Sequence, residues 1–281
     1  MDRAPSACIL CGSPQREPLF RQKDWQVFRC LACGLAFLDP RPDQAELAEL
    51  YRKDYFASQY DSGLKRGSPE LARRLAQEKH RLRFFHRLKK RGRLLDIGCG
   101  LGYFLYAAVQ LGYEGEGLDI STDSAAYVRE ELKIKVTTGD IKEVDYGEAS
   151  FDVITMWHFL EHTPDPRAYL EKAVRWLKPG GLLVVDVPNY EGTDARRTWE
   201  NWKGWQLPYH FYHFTPQTLG AILQKYGFLP LRKKSYLSEE VKERLSRSLL
   251  TRPFARLIAR CYSGHSFALV AKNTKKSILG T

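Results

Sequence analysis

Methionine is scarce in this chain, with two in 281 residues, and no apolar run approaches the roughly 20 residues that cross a bilayer. The opening MDRAPSACILCG has no apolar core ahead of its first paired cysteines, so no signal peptide is expected. Internal repeats and low-complexity segments are lacking as well, which excludes solenoid and fibrous architectures. Acids are outnumbered, with 33 Asp and Glu against 44 Lys and Arg and a formal net charge of +11. A cytoplasmic protein with reduced thiols is expected, either free or held peripherally at the inner face of the membrane. Hydrophobic and charged contents of 43% and 27% are ordinary for a globular chain, enough for one sizeable core and a small appended module.

The positive charge is concentrated. Between Arg73 and Arg93 lie ten Lys or Arg and a single acid, Glu78. Between Arg244 and Arg260 lie five Arg and no acid. Such blocks attract polyanions, whether nucleic acid, anionic lipid or phosphorylated ligands, or else form solvated helix faces.

Four of the six cysteines fall as Cys8-x2-Cys11 and Cys30-x2-Cys33, with Gly12 and Gly34 following each pair. Two such pairs supply a tetrahedral thiolate set for a structural zinc ion, with no coordination position left for catalysis. The alternatives are chance pairing and a redox role.

Residues 1–40 read as a zinc ribbon with short strands at Trp25–Arg29 and Leu35–Leu38, and 41–92 as a helical connector or lid. The connector holds a helix capped by Asp43 that runs through Glu46, Leu47 and Leu50. A second helix opens at Ser68-Pro69-Glu70, with Leu71, Leu75, Leu82, Phe85 and Leu88 along one face and the basic residues on the other. From residue 93 to 281 strands and helices alternate: strands near 93–97, 114–120, 135–139, 151–157, 181–187, 228–235 and 266–272, helices near 102–111, 122–132, 165–177 and 215–226. Apolar runs such as Leu182-Leu-Val-Val185 suit buried parallel strands. The fold class this predicts is α/β, a doubly wound, seven-stranded, mostly parallel sheet.

Leu94-Leu-Asp-Ile-Gly98-Cys-Gly-Leu-Gly102 is an apolar strand entering a glycine-rich turn, where a ligand can approach backbone amides at a helix start. Asp96 ends the strand. Asp119 closes the next one, where an acid commonly meets ribose hydroxyls. A dinucleotide oxidoreductase would need a GxGxxG spacing, which is absent. In order, LLDIGCGLG, GLDIS, TTGD, FDVITMWHFLEH and LKPGGLLVVDVPN resemble the motifs of class I S-adenosylmethionine-dependent methyltransferases over about residues 90–235. The resemblance implies a Rossmann-like fold, S-adenosylmethionine as cofactor, and Asp96, Gly98, Gly100 and Gly102 around its methionine part. It places Asp119 on the ribose and Asp140 with Ile141 on the adenine, and the expected cofactor set also takes in Tyr103, Ile120 and Trp157.

His158, Glu161 and His162 would share one side of a helical turn after the fourth strand. A histidine oriented by a neighbour can take a proton from a hydroxyl or activated carbon. The same trio could instead hold a divalent ion such as magnesium, or be a purely structural turn. The stretch resembles the ubiquinone-pathway O-methyltransferases, where a similar Glu-x-x-Glu-His surrounds such an ion; here His158 replaces the first acid. It is also similar to zinc-ribbon sugar methyltransferases, where a Glu-His pair at this place acts as base. His162 is the leading candidate base, with Glu161 and His158 in support.

An aromatic stretch follows the fifth strand, from Trp199 through Trp202 and Trp205 to Phe214. It reads as the wall of a small-molecule pocket, with His210 and His213 lining it, or as core packing. Near 238–262 an insert carries Val241, Leu245, Leu249 and Leu250 at helical spacing. After Pro253 come Phe254, Leu257 and Ile258, interleaved with arginines, a pattern suited to an anionic membrane surface, a packed cap or an oligomer contact.

The expected function is methyl transfer to an oxygen or carbon of a small or lipid-linked acceptor in glycan, lipid or quinone biosynthesis. Two rivals remain: an RNA base methyltransferase carrying a zinc module, and a non-catalytic cofactor-binding module. No NPPY-type motif for an extruded base is present, which disfavours nucleic acid as partner.

Overall fold

Strands that are apolar on both faces must be covered on both faces, and β7 (Phe151–Trp157), buried at every position, requires this most plainly. In the computed structural model, which describes residues 7–43, 46 and 63–275, β7 lies at the centre of a seven-stranded sheet. The other strands are β4 (Gly92–Ile97), β5 (Tyr113–Asp119), β6 (Lys135–Thr138), β8 (Leu177–Pro188), β10 (Phe228–Leu237) and β11 (Ser263–Asn273). Their order is β10-β11-β8-β7-β4-β5-β6, parallel throughout except for β11, which is antiparallel to β8 and β10. The expected doubly wound α/β sheet is the one observed. Alternate residues sort to opposite faces: Val153, Leu182 and Val184 join Leu82, Phe85 and Phe104 in one core, while Ile154, Leu183 and Val185 join Leu170, Trp176 and Leu219 in the other.

Among the described residues, helix α1 (Pro69–Phe85) starts where expected, with Ser68 accepting from the Leu71 amide and Pro69 in the first turn. Its periodic face ends sooner than the sequence pattern predicts: Leu88 lies beyond the helix and is exposed, and Phe84 is buried. Helices α2 (Tyr103–Gln110), α3 (Thr122–Glu130), α4 (Pro166–Trp176) and α6 (Pro216–Lys225) match the four expected between strands. Short α5 (Thr193–Thr198) lies between β8 and the aromatic stretch. Asp43 and Glu46 form a reciprocal capping pair, but the rest of the helix expected there, with Leu47 and Leu50, lies outside the described residues.

The basic block at 73–93 is not one solvated face. Arg73 pairs with Glu70, Arg74 and Arg81 with the buried Glu78, Lys89 with Asp152 and Arg93 with Glu116, so five of its ten cations are matched inside the fold.

Ribbon strands β1 (Arg16–Gln22), β2 (Trp25–Cys30) and β3 (Ala36–Leu38) form an antiparallel sheet. Strand β1 has no apolar alternation, since Phe20 alone is buried, and so left no pattern to read. Its sheet is completed by β9 (Tyr212–His213) from the aromatic stretch, Ala36 opposite His213 and Phe37 opposite Tyr212. Phe20 stacks on Trp205 at 4.3 Å between ring centroids. No described helix is long and apolar enough to cross a membrane.

Candidate functional site

Crevices of open α/β sheets lie beyond the carboxyl ends of the strands, where the order reverses. Here β4 has β5 on one side and β7 on the other. Beyond β4, Gly98 adopts φ +72°, and a Cβ there would meet the Phe159 ring at 2.1 Å. Only glycine allows this turn. The Asp119 carboxylate at the end of β5 accepts from the Gly100 amide at 2.7 Å and the Ser121 amide at 2.9 Å, tying the glycine loop to the next strand. Burial raises its pKa against those two amides. Beside it Ile120 is 67% exposed, an apolar side chain the fold leaves uncovered at the crevice.

Asp96 is buried and accepts from the Thr155 hydroxyl at 2.6 Å, and burial lifts its pKa to about 7. Asp140 accepts from the Lys142 amide and Ile141 is buried in the core below. The Tyr103 hydroxyl accepts from the Leu64 amide, and the Tyr127 hydroxyl donates to the Leu64 carbonyl, strapping the chain before α1 across α2 and α3. Trp157 packs against Phe104 beneath the Arg81 guanidinium, with its indole N–H unbonded among the described residues.

The three residues expected to share one helical turn are divided. Only Leu160–His162 form a turn, of the tighter 3-10 type, because His158 leaves β7 in the left-handed region at φ +51°. Such a conformation at a residue other than glycine costs about 1–3 kcal/mol and persists where its surroundings hold it. The His158 amide donates to the Asp186 carbonyl at 2.9 Å, and its ring lies 3.3 Å from Glu161 and 3.6 Å from Asp186. Burial alone would lower its pKa, but the Asp186 and Glu161 carboxylates raise it. His162 goes the other way, lowered by burial. Its Nδ1–H donates to the Tyr209 carbonyl at 3.1 Å, which makes Nε2 the basic nitrogen. The His210 ring stands 4.4 Å from His162 with its own Nδ1–H on the Gly204 carbonyl at 2.8 Å. Ligand atoms of Glu161, His162 and His210 lie within 4.8 Å of one another, so any ion here would take His210 rather than His158. Glu161 Oε2 is fully buried without a hydrogen bond among the described residues. His213 sits in β9 against Trp205, buried, with its pKa lowered to about 3.

Sequence reading missed Asp186, Tyr236 and Arg81. Tyr236 hydrogen-bonds the Asp186 carboxylate, and Arg81 faces that group from α1. A signal for Asp186 was present: an acid within the apolar run of a buried strand has no place unless it is partnered. Most of the aromatic stretch is core, since Trp205, Phe211, Tyr212 and Phe214 are buried. Trp202 is buried with Trp205 and also borders a cleft of about 620 Å³ lined by Gln22, Glu200, Gln206 and His265. His265 lies close enough to His158 and Glu161 to feel their charge.

At the amino end, Cys8, Cys11, Cys30 and Cys33 converge, the sulfurs 3.4 Å apart for Cys8–Cys33 and 3.5 Å for Cys11–Cys30. The amides of Gly12 and Gly34 close each loop onto the Cys8 and Cys30 carbonyls.

A family model described as Methyltransferase domain matches residues 69–232, more than half of the chain, and the chain belongs to that family. It is 28% identical over 148 residues to a probable S-adenosylmethionine-dependent methyltransferase of Mycolicibacterium smegmatis, covering 52% of this chain and 55% of that protein. It is 36% identical over 105 residues to the ubiquinone biosynthesis O-methyltransferase of Paracidovorax citrulli, covering 34% of this chain and 44% of that one. The chain thus spans about half the length of the curated relatives it matches. Among solved structures it superposes on a SAM dependent methyltransferase from Archaeoglobus fulgidus with TM-score 0.53 and 26% identity, over 74% of this chain and 95% of that one. The 1,6-didemethyltoxoflavin-N1-methyltransferase of Burkholderia thailandensis, crystallised with 1,6-didemethyltoxoflavin and S-adenosylhomocysteine, shares the fold at TM-score 0.54 and 20% identity, over 92% of this chain and 100% of that one.

One prediction needs no ligand. Asp96 holds its proton up to about pH 7 when folded but titrates in the ordinary carboxylate range when unfolded. The native state therefore binds more protons across that window, and stability falls as pH rises through it, by up to about 1.4 kcal/mol per unit. Denaturant unfolding at several pH values should show this fall in the parent and a flatter profile in Asp96→Asn. Identical profiles would refute the assignment.

Proposed function

We propose that the protein transfers a methyl group from S-adenosylmethionine to an oxygen or carbon of a small or lipid-linked acceptor. The observation that carries this reading is the bond from the Gly100 amide to Asp119, which shapes a ligand cradle on the sheet edge that also bears His158 and the Leu160–His162 turn. When bound, the cofactor supplies a sulfonium methyl open to in-line displacement. The chain then has to align two substrates and remove one proton. Asp119 retains lone pairs for ribose hydroxyls, Ile120 offers an apolar face to the adenine, and Asp96 faces the cationic methionine end. Asp140, Ile141, Gly98, Gly102, Tyr103 and Trp157 complete the proposed cradle.

His162 is the proposed base. Burial keeps it neutral at physiological pH, and the Tyr209 carbonyl holds the tautomer with the basic nitrogen at Nε2. Glu161 beside it stabilises the imidazolium that forms. His158 positions Glu161, while His210 and His213 shape the acceptor side. A second reading is favoured by the orphaned Glu161 Oε2: a divalent ion such as magnesium held by Glu161, His162 and His210. The four cysteines suit a structural zinc that closes the ribbon, and the ribbon in turn supports the acceptor lid through β3 and β9.

Four measurements test these roles. Freshly purified protein should hold about one zinc per chain, and Cys30→Ser should lower both zinc content and stability, since ligation and folding are coupled in so small a module. A metal-free preparation that is fully stable would sink the zinc assignment. Asp119→Ala should weaken S-adenosylhomocysteine binding by about 1–3 kcal/mol in calorimetry, and unchanged affinity would remove Asp119 from the site. His162→Ala should slow turnover by about two to four orders of magnitude with cofactor affinity little changed. Chelation of the parent followed by magnesium separates the two readings: activity lost and restored means an ion, activity unaffected means a base. Full activity in His162→Ala would overturn both.

A further inference from the structure

Large apolar side chains normally fill a helical hairpin's inner face and small ones its surface. The segment between β10 and β11 reverses this. Helix α7 (Glu239–Ser246), a single turn at Arg252–Phe254 and helix α8 (Ala255–Ala259) bury Val241, Ala255 and Ala259 against the body of the protein. Leu249 and Leu250 stand out at 84% and 85% exposure, with Phe254 at 58% and Leu257 at 64%. The packed-cap alternative read from the sequence required these residues to be covered by the chain itself, and among the described residues nothing covers them.

The exposed Glu239, Glu240 and Glu243 lie early on α7, and from Arg244 onward the charge is of one sign. Arg244, Arg247, Arg252, Arg256 and Arg260 are all exposed, the stretch from Arg244 to Tyr262 has no acid, and none of the five arginines has an ion-pair partner among the described residues. A second copy docking by two-fold symmetry would set this patch against itself, arginine facing arginine. An anionic lipid surface complements both features, with headgroups for the guanidiniums and acyl chains for the leucines and Phe254.

The hairpin is fastened to both walls of the cleft lined by Trp202 and His265. Ser238, which opens α7, hydrogen-bonds the Asp194 carboxylate of α5, and α5 leads directly into Glu200–Lys203 on one wall. Thr193 donates its amide to the Ser263 hydroxyl at 3.0 Å, where β11 begins and carries His265 to the other wall. A surface that holds the hairpin is therefore linked, through the base of the hairpin, to the segments that line the cleft.

We propose that residues 247–260 form a membrane-docking tip that seats the protein reversibly on an anionic bilayer and presents the cleft to an acceptor residing there. The acceptor clause rests on the proposed methyl transfer; the docking does not. The experiment is therefore a binding measurement on the full chain, without turnover. Sedimentation should show binding to vesicles of phosphatidylcholine with phosphatidylglycerol, little binding to phosphatidylcholine alone, and release as salt is raised through the range that screens headgroup charge. A Leu249→Ser, Leu250→Ser, Phe254→Ser variant and an Arg252→Glu, Arg256→Glu, Arg260→Glu variant should each partition at least about tenfold less, at unchanged unfolding temperature and S-adenosylhomocysteine affinity. Protein that stays in solution with anionic vesicles at low salt overturns the proposal. So does a dimer in sedimentation velocity that the Leu249→Ser, Leu250→Ser, Phe254→Ser variant dissolves, since the patch would then be a self-interface. Intact vesicle binding in a protein inactive with every acceptor would instead count against the methyl-transfer reading alone.

Discussion

One residue's backbone joins the two halves of this site. The amide of Phe211 donates to the Glu161 carbonyl at 2.8 Å, and the Phe211 carbonyl accepts from the Leu38 amide at 2.9 Å. The turn that bears His162 is thereby held to the aromatic stretch, and that stretch to the third strand of the ribbon. Buried backbone groups have to be paired, so no part of this chain of bonds can slide without leaving donors and acceptors unsatisfied. The ribbon consequently does more than occupy the amino end. Its Phe20 lies on Trp205, its Gln22 lines the cleft, and the Gly34 carbonyl accepts from the Tyr190 hydroxyl. A metal held by the four cysteines would act, through β3 and β9, on the placement of the aromatic stretch.

The second constraint is electrostatic. Strand ends β4, β7 and β8 bring Asp96, His158 and Asp186 together, Glu161 adds a further carboxylate, and Arg81 enters from α1 with Glu78 bound to it. Carboxylates gathered under low solvent exposure raise one another's pKa unless cations share the space, and here Arg81 and His158 do so. Among the described residues Glu161 Oε2, Asp186 Oδ1 and Arg81 Nε of this group make no hydrogen bond, and Asp186 Oδ1 lies 3.6 Å from His158 Nε2. A fold selected for stability alone would replace such a network by apolar packing, which commonly costs nothing or stabilises. A left-handed His158 among carboxylates of perturbed pKa is an arrangement common at sites of proton and ligand chemistry.

Periodicity and local chemistry were legible from the residues: the strand runs, the helix start at Ser68, the glycine turn after Ile97 and the cysteine pairs each depend on neighbours within a few positions. These interactions are short in sequence, so their signals survive without a structure. The same reading placed His158, Glu161 and His162 on one helical turn because it assumed helical spacing. It could not see that the Asp186 carbonyl, on a neighbouring strand, would hold the His158 amide and turn the backbone left-handed. The basic block was misjudged for a related reason: charge counted along the chain ignores partners such as Asp152 and Glu116, which β7 and β5 supply from elsewhere.

The sequence by itself determined the doubly wound sheet, the glycine turn after its first strand and the four cysteines that cluster, because hydrophobic period, glycine and cysteine spacing are properties of consecutive residues. The tertiary structure alone decided that His210 rather than His158 stands beside His162, that β9 completes the ribbon sheet, and that Leu249, Leu250 and Phe254 face outward. Each of these is settled by contact between segments far apart in the chain, where backbone pairing and available volume, rather than local preference, choose which side chains meet.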